Sequence, residues 1–497
     1  MERVLLVNVP SRQGGGAFFI PMGLLYAGGV IERCGHTAKI IDPYLGDEKL
    51  EYFENFFDKL GGVIEIFKPN IIGYGGIATS YGRTKRLANF VNNNYSGITQ
   101  VAGGALASAY RLLLDNTPIE YVFHGEAETS LASFLDKGTM GDGMSTKVNG
   151  RIVRNESVQV EDMDGIPFPP YHLIAMEHYQ YPIVGRLDGF RQILSDSAYD
   201  NLTKTVGQTT HIAPILTSRG CTHKCLFCYR HFSGHRQHSV NYVISHMKYL
   251  METYGVSGFT FADELFNAHY DWVMQFCDEI ERNSLHICYT IGGARVNNVD
   301  RHMLQRLKDT GCIEISYGQE SGSDTVLKGL RKGTTAQLNR EVTLLTQEVG
   351  ILTVVQLVIG SPSEMPETIR ETIQFLKDVN AYQFALNYLI PLPETPIWQY
   401  VQEHNLIPNE ESYLSMVADS GGNPIINFTS QTEKEWRNWG NLIHNEMVLN
   451  YYQRNKGAIS IRLLHLRLFM ATLTVKFIPR FLLMRIPKKI KNFIVGW

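Results

Sequence analysis

From residue 4 to residue 123, short runs of aliphatic and β-branched residues alternate with helix-length stretches. Val4-Leu5-Leu6-Val7-Asn8-Val9 carries no charge, as expected of a strand buried on both faces. Residues 22–34 repeat apolar positions at helical spacing and stop at Gly35, a residue suited to the left-handed position after a helix. Apolar runs at 38–42, 71–75, 100–104 and 121–123 continue the series. Strands separated by helices predict a doubly wound parallel sheet. Ligands of such a sheet sit beyond the carboxyl ends of its strands, here residues 10–16, 75–80, 103–105 and 124–128.

Residues 141–205 show little periodicity and contain the turn Ile166-Pro167-Phe168-Pro169-Pro170, which predicts a connector. A second βα series follows, with strands expected near 213–218, 258–262, 287–292, 313–317, 353–359 and 384–390. Six such units suit a parallel barrel or partial barrel. Residues from about 407 onward read as helical. The expected division is therefore 1–140, a connector over 141–205, a barrel over 206–406 and a helical region over 407–497.

Composition sharpens this picture in two places. The 497 residues hold 46 Lys and Arg against 49 Asp and Glu, a net charge of −3, which argues against a general nucleic-acid binder. Ten of the basic residues and none of the acidic ones fall in 447–497. The body therefore carries about −13 and the tail about +10, counting formal charges as for linear charge patterning. Residues 459–484 are apolar but interrupted by Arg462, Arg467, Lys476 and Arg480, so they lack the unbroken span a membrane crossing requires. Basic residues among Leu, Phe and Trp suit a helix lying in an anionic membrane interface; the alternative is a helical cap packed on the acidic body. No signal peptide is visible, and a cytoplasmic protein is expected, peripheral at the inner face of the membrane if the tail binds there.

Three of the seven cysteines stand in Cys221-Thr-His-Lys-Cys225-Leu-Phe-Cys228. Such crowding in a long chain points to metal binding in a reducing compartment rather than to disulfides. Iron–sulfur cubanes are held by cysteine thiolates, normally four, so three would leave one iron open. Zinc, with His223 or His231 completing the set, is the other metal reading.

At these residues the chain resembles the radical S-adenosylmethionine (SAM) superfamily, whose signature is CxxxCxxC with an aromatic residue at Phe227. The resemblance implies a 4Fe-4S cluster on Cys221, Cys225 and Cys228, with SAM on the open iron and cleaved to a 5′-deoxyadenosyl radical. It also implies SAM contacts from Asp263 and Glu264, from Glu320 and Ser321 ahead of Lys328 and Lys332, and from Gly360 in Gly360-Ser361-Pro362. Glu394 departs from the pattern, since relatives usually carry glycine there.

The N-terminal third resembles the cobalamin-binding domain of cobalamin-dependent radical SAM enzymes through Pro21-Met-Gly-Leu-Leu-Tyr26, Gly35-His36, Asp42, Gly103-Gly104 and His124-Gly125-Glu126-Ala127-Glu128. The implied fold is α/β: an N-terminal doubly wound Rossmann-like cobalamin-binding domain, a radical SAM (β/α)6 partial TIM barrel and a C-terminal helical region. Ser11, Gly14, Gly75, Thr79, Gly103, Gly104, Gly125 and Glu126 are the expected cobalamin contacts. The loop after the first strand has no histidine, so a base-off cobalamin without protein imidazole is expected. His36 and His124 are rival ligands or simple packing residues.

The activity so implied is methylation of an unactivated carbon in a small apolar metabolite. Oxidation, cyclisation or ring rearrangement without methyl transfer is the second reading. A non-catalytic cobalamin or iron–sulfur sensor is the reading from another class, and it predicts that SAM is not cleaved. The expected partners are a small-molecule substrate and a low-potential electron donor such as flavodoxin or ferredoxin, with no nucleic acid.

Overall fold

The computed structural model describes residues 1–10, 20–43, 53–179, 211–230, 234–381, 383–419 and 425–454. Met1–Arg437 form one compact unit, and the described residues from Asn438 onward belong to a second.

The first sheet holds seven strands: β1 (Arg3–Asn8), β2 (Thr37–Ile41), β3 (Ile71–Gly75), β4 (Thr99–Gly103), β5 (Tyr121–Phe123), β6 (Met144–Val148) and β7 (Arg151–Arg154). Their order is β2-β1-β3-β4-β5-β6-β7, with β1 to β5 parallel. Leu5 and Val7 of β1 pack into a core with helices Asn55–Phe67 and Tyr81–Asn94. Val4 and Leu6 face helices Met22–Arg33 and Ala127–Lys137 on the opposite side. The unbroken apolar run at 4–7 is thus explained by helices on both faces. The strand order reverses at β1 and β3, the switch point at which such sheets take up ligands.

The sheet reaches further than the periodicity suggests. β6 runs antiparallel to β5 and pairs with β7 across Asn149 and Gly150, both at positive φ. An Asn-Gly pair supplies the left-handed conformations a tight hairpin demands, so this stretch of the expected connector is part of the sheet. Beyond it, Met163, Ile166, Tyr171, Met176 and Tyr179 bury against helix Val240–Tyr254 and the second sheet. The connector residues 180–210 lie outside the described residues.

The second sheet contains β8 (Ile212–Ile215), β11 (Gly258–Phe261), β12 (Cys288–Ala294), β13 (Cys312–Glu320), β14 (Leu352–Ile359) and β15 (Gln383–Tyr388). All six are parallel, in the order β15-β14-β13-β12-β11-β8. Each lies within a few residues of its expected position. Between β8 and β11 a separate antiparallel ribbon forms from β9 (Ser218–Cys221) and β10 (Gly234–Gln237). Cys221 therefore ends a short strand instead of lying on a simple loop after the barrel strand.

The C-terminal helices return to the first sheet. Glu411, on helix Glu410–Asp419, accepts hydrogen bonds from Tyr81, Lys85 and Asn116, and Leu414 is buried in the same core as Leu5. Gly82 permits this approach, since a Cβ there would stand 3.0 Å from Ser415 Cα. Among the described residues no helix is long and apolar enough to cross a membrane.

Candidate functional site: the cysteine loop and the cavity beside it

The strand ends of the second sheet aim the cysteine loop. Asp263, just past β11, accepts hydrogen bonds from the Thr217 and Ser218 N–H groups at 2.8 and 2.6 Å, and from their hydroxyls at 3.0 and 2.9 Å. Burial pushes its carboxyl up to about 6 against these donors. The four bonds fix the start of β9 to the end of β11. Gly220 has φ +84°, and a Cβ there would stand 2.5 Å from Gly234 O, so the ribbon closes only with glycine at this position. Cys221 follows directly.

Cys225 is buried, while Cys221 and Cys228 are half-buried, and all three are free thiols. Leu226 anchors the loop on both sides: its N–H donates to Leu330 O at 2.9 Å, and its carbonyl accepts from Ile397 N at 3.0 Å. Arg295 Nη1 lies 3.7 Å from Cys225 Sγ, and the same guanidinium donates to Lys332 O. Lys332 pairs with Glu320 at 2.8 Å, with both side chains only 8% exposed. The Cys225 thiol is held below the usual thiol range, first by its hydrogen bond with Cys228 and, against burial, by Lys332 and Arg295. Buried cations beside a thiolate suit a group bound through negatively charged sulfur. Among the described residues no three His, Cys, Asp or Glu side chains converge on a single ion. A cubane does not require that, since each cysteine holds its own iron. The donor set and its charge therefore fit an iron–sulfur cluster.

The residues expected around SAM divide into two groups. Glu320, at φ +65°, joins Lys332 and Arg295 beneath Cys225. Phe227 packs beside Leu389 and Ile397. Glu264 turns exposed surface into the cavity described below, and burial raises its pKa while Arg230 opposes the shift. The others are engaged internally. Asp263 holds β9, and Ser321 Oγ lies 3.0 Å from Thr372 Oγ1. Gly360, at φ +89°, donates its N–H to Glu364, and a Cβ on it would meet Trp436 Nε1 at 2.8 Å. Sequence reasoning missed Arg295 and Glu364. For Arg295 a signal existed: it is a charged residue ending the uncharged run of β12.

A cavity of about 530 Å³ opens at the carboxyl ends of the first sheet. Gly75, Gly103, Gly104, Gly125 and Glu126 line one side, and Ser218, Arg219, Gly220 and Glu264 line the other. The space thus reaches from the first sheet to the strand that ends at Cys221. Gly75 is there for close packing, because a Cβ would come within 2.3 Å of Leu24. Gly103 is extended, at φ −159°, and a Cβ there would meet Phe123 at 3.7 Å, an ordinary contact that the fold tolerates. Thr79 lies in the short turn Ala78–Ser80, just after the lining residues Gly76 and Ile77 but not itself among them, and Ser11 and Gly14 lie outside the described residues. His36 accepts a hydrogen bond from Glu2 N, and His124 pairs with Ser145 at 2.7 Å and packs on Tyr110. Neither histidine lines the cavity.

The two sides are clamped by charge. Glu126 Oε1 accepts from Arg219 at 2.9 Å and from Arg236 at 2.8 Å, while Glu128 accepts from Arg219 at 2.7 Å. Burial alone would raise the Glu126 pKa, but Arg236, the Val160 N–H and Arg219 together hold it below the usual carboxylate range. The Arg219 guanidinium also lies 4.9 Å from the Tyr26 ring centroid, a cation–π contact across the cavity wall.

Residues 215–376, from the end of β8 into helix Pro366–Asp378, match the radical SAM superfamily. These residues form a radical SAM domain. An uncharacterised methyltransferase of Pyrococcus horikoshii is 27% identical to this radical SAM chain over 424 residues, which is 82% of this chain and 84% of that one. The anaerobic magnesium-protoporphyrin IX monomethyl ester cyclase of Rubrivivax gelatinosus is 23% identical over 432 residues, 83% of this chain and 72% of the cyclase. Among solved structures, the radical SAM methyltransferase TsrM from Kitasatospora setae, with cobalamin and a 4Fe-4S cluster bound, superposes with a TM-score of 0.61 at 20% identity. That match covers 81% of this chain and 75% of TsrM, and it shows a shared fold across both sheets.

Proposed function

We propose that this radical SAM enzyme is a cobalamin-dependent methyltransferase acting on an unactivated carbon of a small apolar metabolite. The observation that carries the reading is the cavity spanning the switch-point glycines of the first sheet and the strand that ends at Cys221. When bound, the cluster, SAM and cobalamin would supply a carbon-centred radical and a methyl group. Cys221, Cys225 and Cys228 would hold the cluster, with Arg295 and Lys332 balancing its charge. Gly103, Gly104 and Gly125 would leave room for the corrin, making the first sheet the cobalamin-binding domain. The absence of histidine among the described lining residues supports a cobalamin without protein imidazole, and nitrogen superhyperfine splitting in the Co(II) electron paramagnetic resonance spectrum would contradict it. Glu264 offers the cavity a carboxylate for orienting SAM or substrate.

The relative named as a cyclase gives weight to a second reading, radical ring closure without methyl transfer. Product counting separates the two. After anaerobic reconstitution with iron, sulfide and cobalamin, methyl transfer yields S-adenosylhomocysteine along with 5′-deoxyadenosine. A chain that yields 5′-deoxyadenosine alone in the presence of substrate supports the second reading.

A further inference from the structure

A glutamate in a disfavoured backbone conformation ends β13. The strand pairs Gly318 with Gln356 and then Glu320 with Leu357, so Gln319 is an extra residue and forms a bulge. Bulges of this kind re-aim the side chains beside them. Glu320 stands at φ +65°, in the left-handed region that a residue with a Cβ rarely enters. Its carboxylate meets Lys332 at 2.8 Å, with both side chains buried. Gly318 is the seat of this pair, since a Cβ there would stand 2.9 Å from Glu320 Oε1 and 3.0 Å from Lys332 Nζ. Lys332 O accepts from the guanidinium of Arg295, which lies 3.7 Å from Cys225 Sγ, so Arg295 links the pair to the cysteine loop.

The groups that hold Glu320 in this conformation come from helix Ala336–Val349. Asn339 on that helix is fully buried, and its side-chain NH₂ donates to Gln319 O at 3.1 Å and to Ser321 O at 3.3 Å. These two carbonyls flank Glu320. The Gln319 side chain reciprocates, donating to Asn339 O at 3.1 Å and to Thr343 Oγ1. Just beyond, the Gly322 N–H donates to Thr372 Oγ1 at 3.1 Å and fixes the exit of the chain. Packing alone would place an apolar residue at position 339, because a buried amide must find partners for its polar atoms. Backbone strain persists only where its surroundings over-determine it, and such strain gathers at functional sites.

We infer that Asn339 is a positioning residue: it pins the carbonyls on either side of Glu320, so that the carboxylate stays on Lys332 and the positive charge beside Cys225 stays compensated. Asn339 acts through Glu320 and Lys332. This rests on the cluster reading above.

The test compares full-length wild type, N339S, N339A and V342A after anaerobic reconstitution, with iron content and Tm recorded for each. Serine is too short to span both carbonyls but keeps a polar group at the buried site. Val342 is buried on the same helix, and its truncation loosens packing without removing a side-chain donor. The midpoint potential of the cluster without SAM is read by redox titration followed by electron paramagnetic resonance. In N339S, a carboxylate released from Lys332 leaves a cation uncompensated near the cluster, which favours the reduced, more negative form. The ratio of reduced to oxidised cluster at a fixed applied potential should rise at least about threefold. N339A should shift in the same direction, and V342A should match wild type despite a lower Tm. Where N339A does not fold, N339S decides. An unshifted N339S overturns the positioning role, and so does an equal shift in V342A, which would make the effect one of general loosening. A wild type that takes up no iron overturns the cluster reading, and the positioning role with it.

Discussion

Replacing Glu126 by Gln removes the charge at the centre of the clamp across the cavity. The Glu126 side chain is 3% exposed, and its arginine partners Arg219 and Arg236 are 16% and 18% exposed, so solvent cannot replace what is lost. The amide keeps one acceptor oxygen and turns an NH₂ group toward two guanidiniums. Removing one member of a buried pair costs on the order of 3–5 kcal/mol. Arg219 keeps Glu128 and Arg236 keeps the Val160 carbonyl, which places the cost near the lower end, about 3 kcal/mol. With an unfolding entropy of about 2.1 cal/mol/K per residue over the unit Met1–Arg437, Tm should fall by about 3 °C. Thermal unfolding of E126Q beside the exposed control E156Q measures this directly. A loss for E126Q no larger than the control, within about 0.5 kcal/mol of wild type, would refute the clamp. Because the Glu126 pKa is lowered in the fold, its contribution persists at neutral pH and is lost only as pH falls through that lowered value.

Other consequences are equally specific. Gly103→Val should fold normally yet retain less cobalamin, read as visible absorbance after desalting, because Gly103 lines the cavity and a Cβ there meets only an ordinary contact with Phe123; Gly75→Ala should instead cost about 1–3 kcal/mol by driving into Leu24, seen as a lower Tm. Buried His238 and His246 are pushed down to about 4 and about 3, chiefly by burial, so each stays neutral in the fold while the unfolded chain protonates near 6.5. Stability is then complete above that value and falls as pH drops below it, by about 2 kcal/mol per histidine between 6.5 and 5, and equal Tm at pH 7 and pH 5 would contradict this. Full-length protein should float with anionic liposomes and residues 1–456 should not; equal recovery removes the membrane role of the tail.

The legible parts of the chain were those written locally. The barrel strands are short runs rich in apolar residues, though Glu314 interrupts β13, and β13 ends on Glu320 while β14 leads directly into Gly360, so position and chemistry could be read together. The cysteine spacing is likewise local. The Asn149-Gly150 hairpin was also written in the sequence, but β6 and β7 are too short and too exposed for their alternation to stand out. The clamp could not be read at all. Glu126 and Arg219 are separated by 93 positions, and nothing local tells a carboxylate that will face a cofactor from one that will meet an arginine of another sheet. The same holds for Asp263, whose four hydrogen bonds depend on where β8 ends relative to β11.

The central claim is that the three cysteines hold a cluster that cleaves SAM. Wild type and the C221A/C225A/C228A variant, both reconstituted anaerobically and supplied with a low-potential reductant and SAM, should be compared by mass spectrometry. The account predicts 5′-deoxyadenosine from the wild type and none from the variant; 5′-deoxyadenosine from the variant, or none from an iron-loaded wild type, would contradict it.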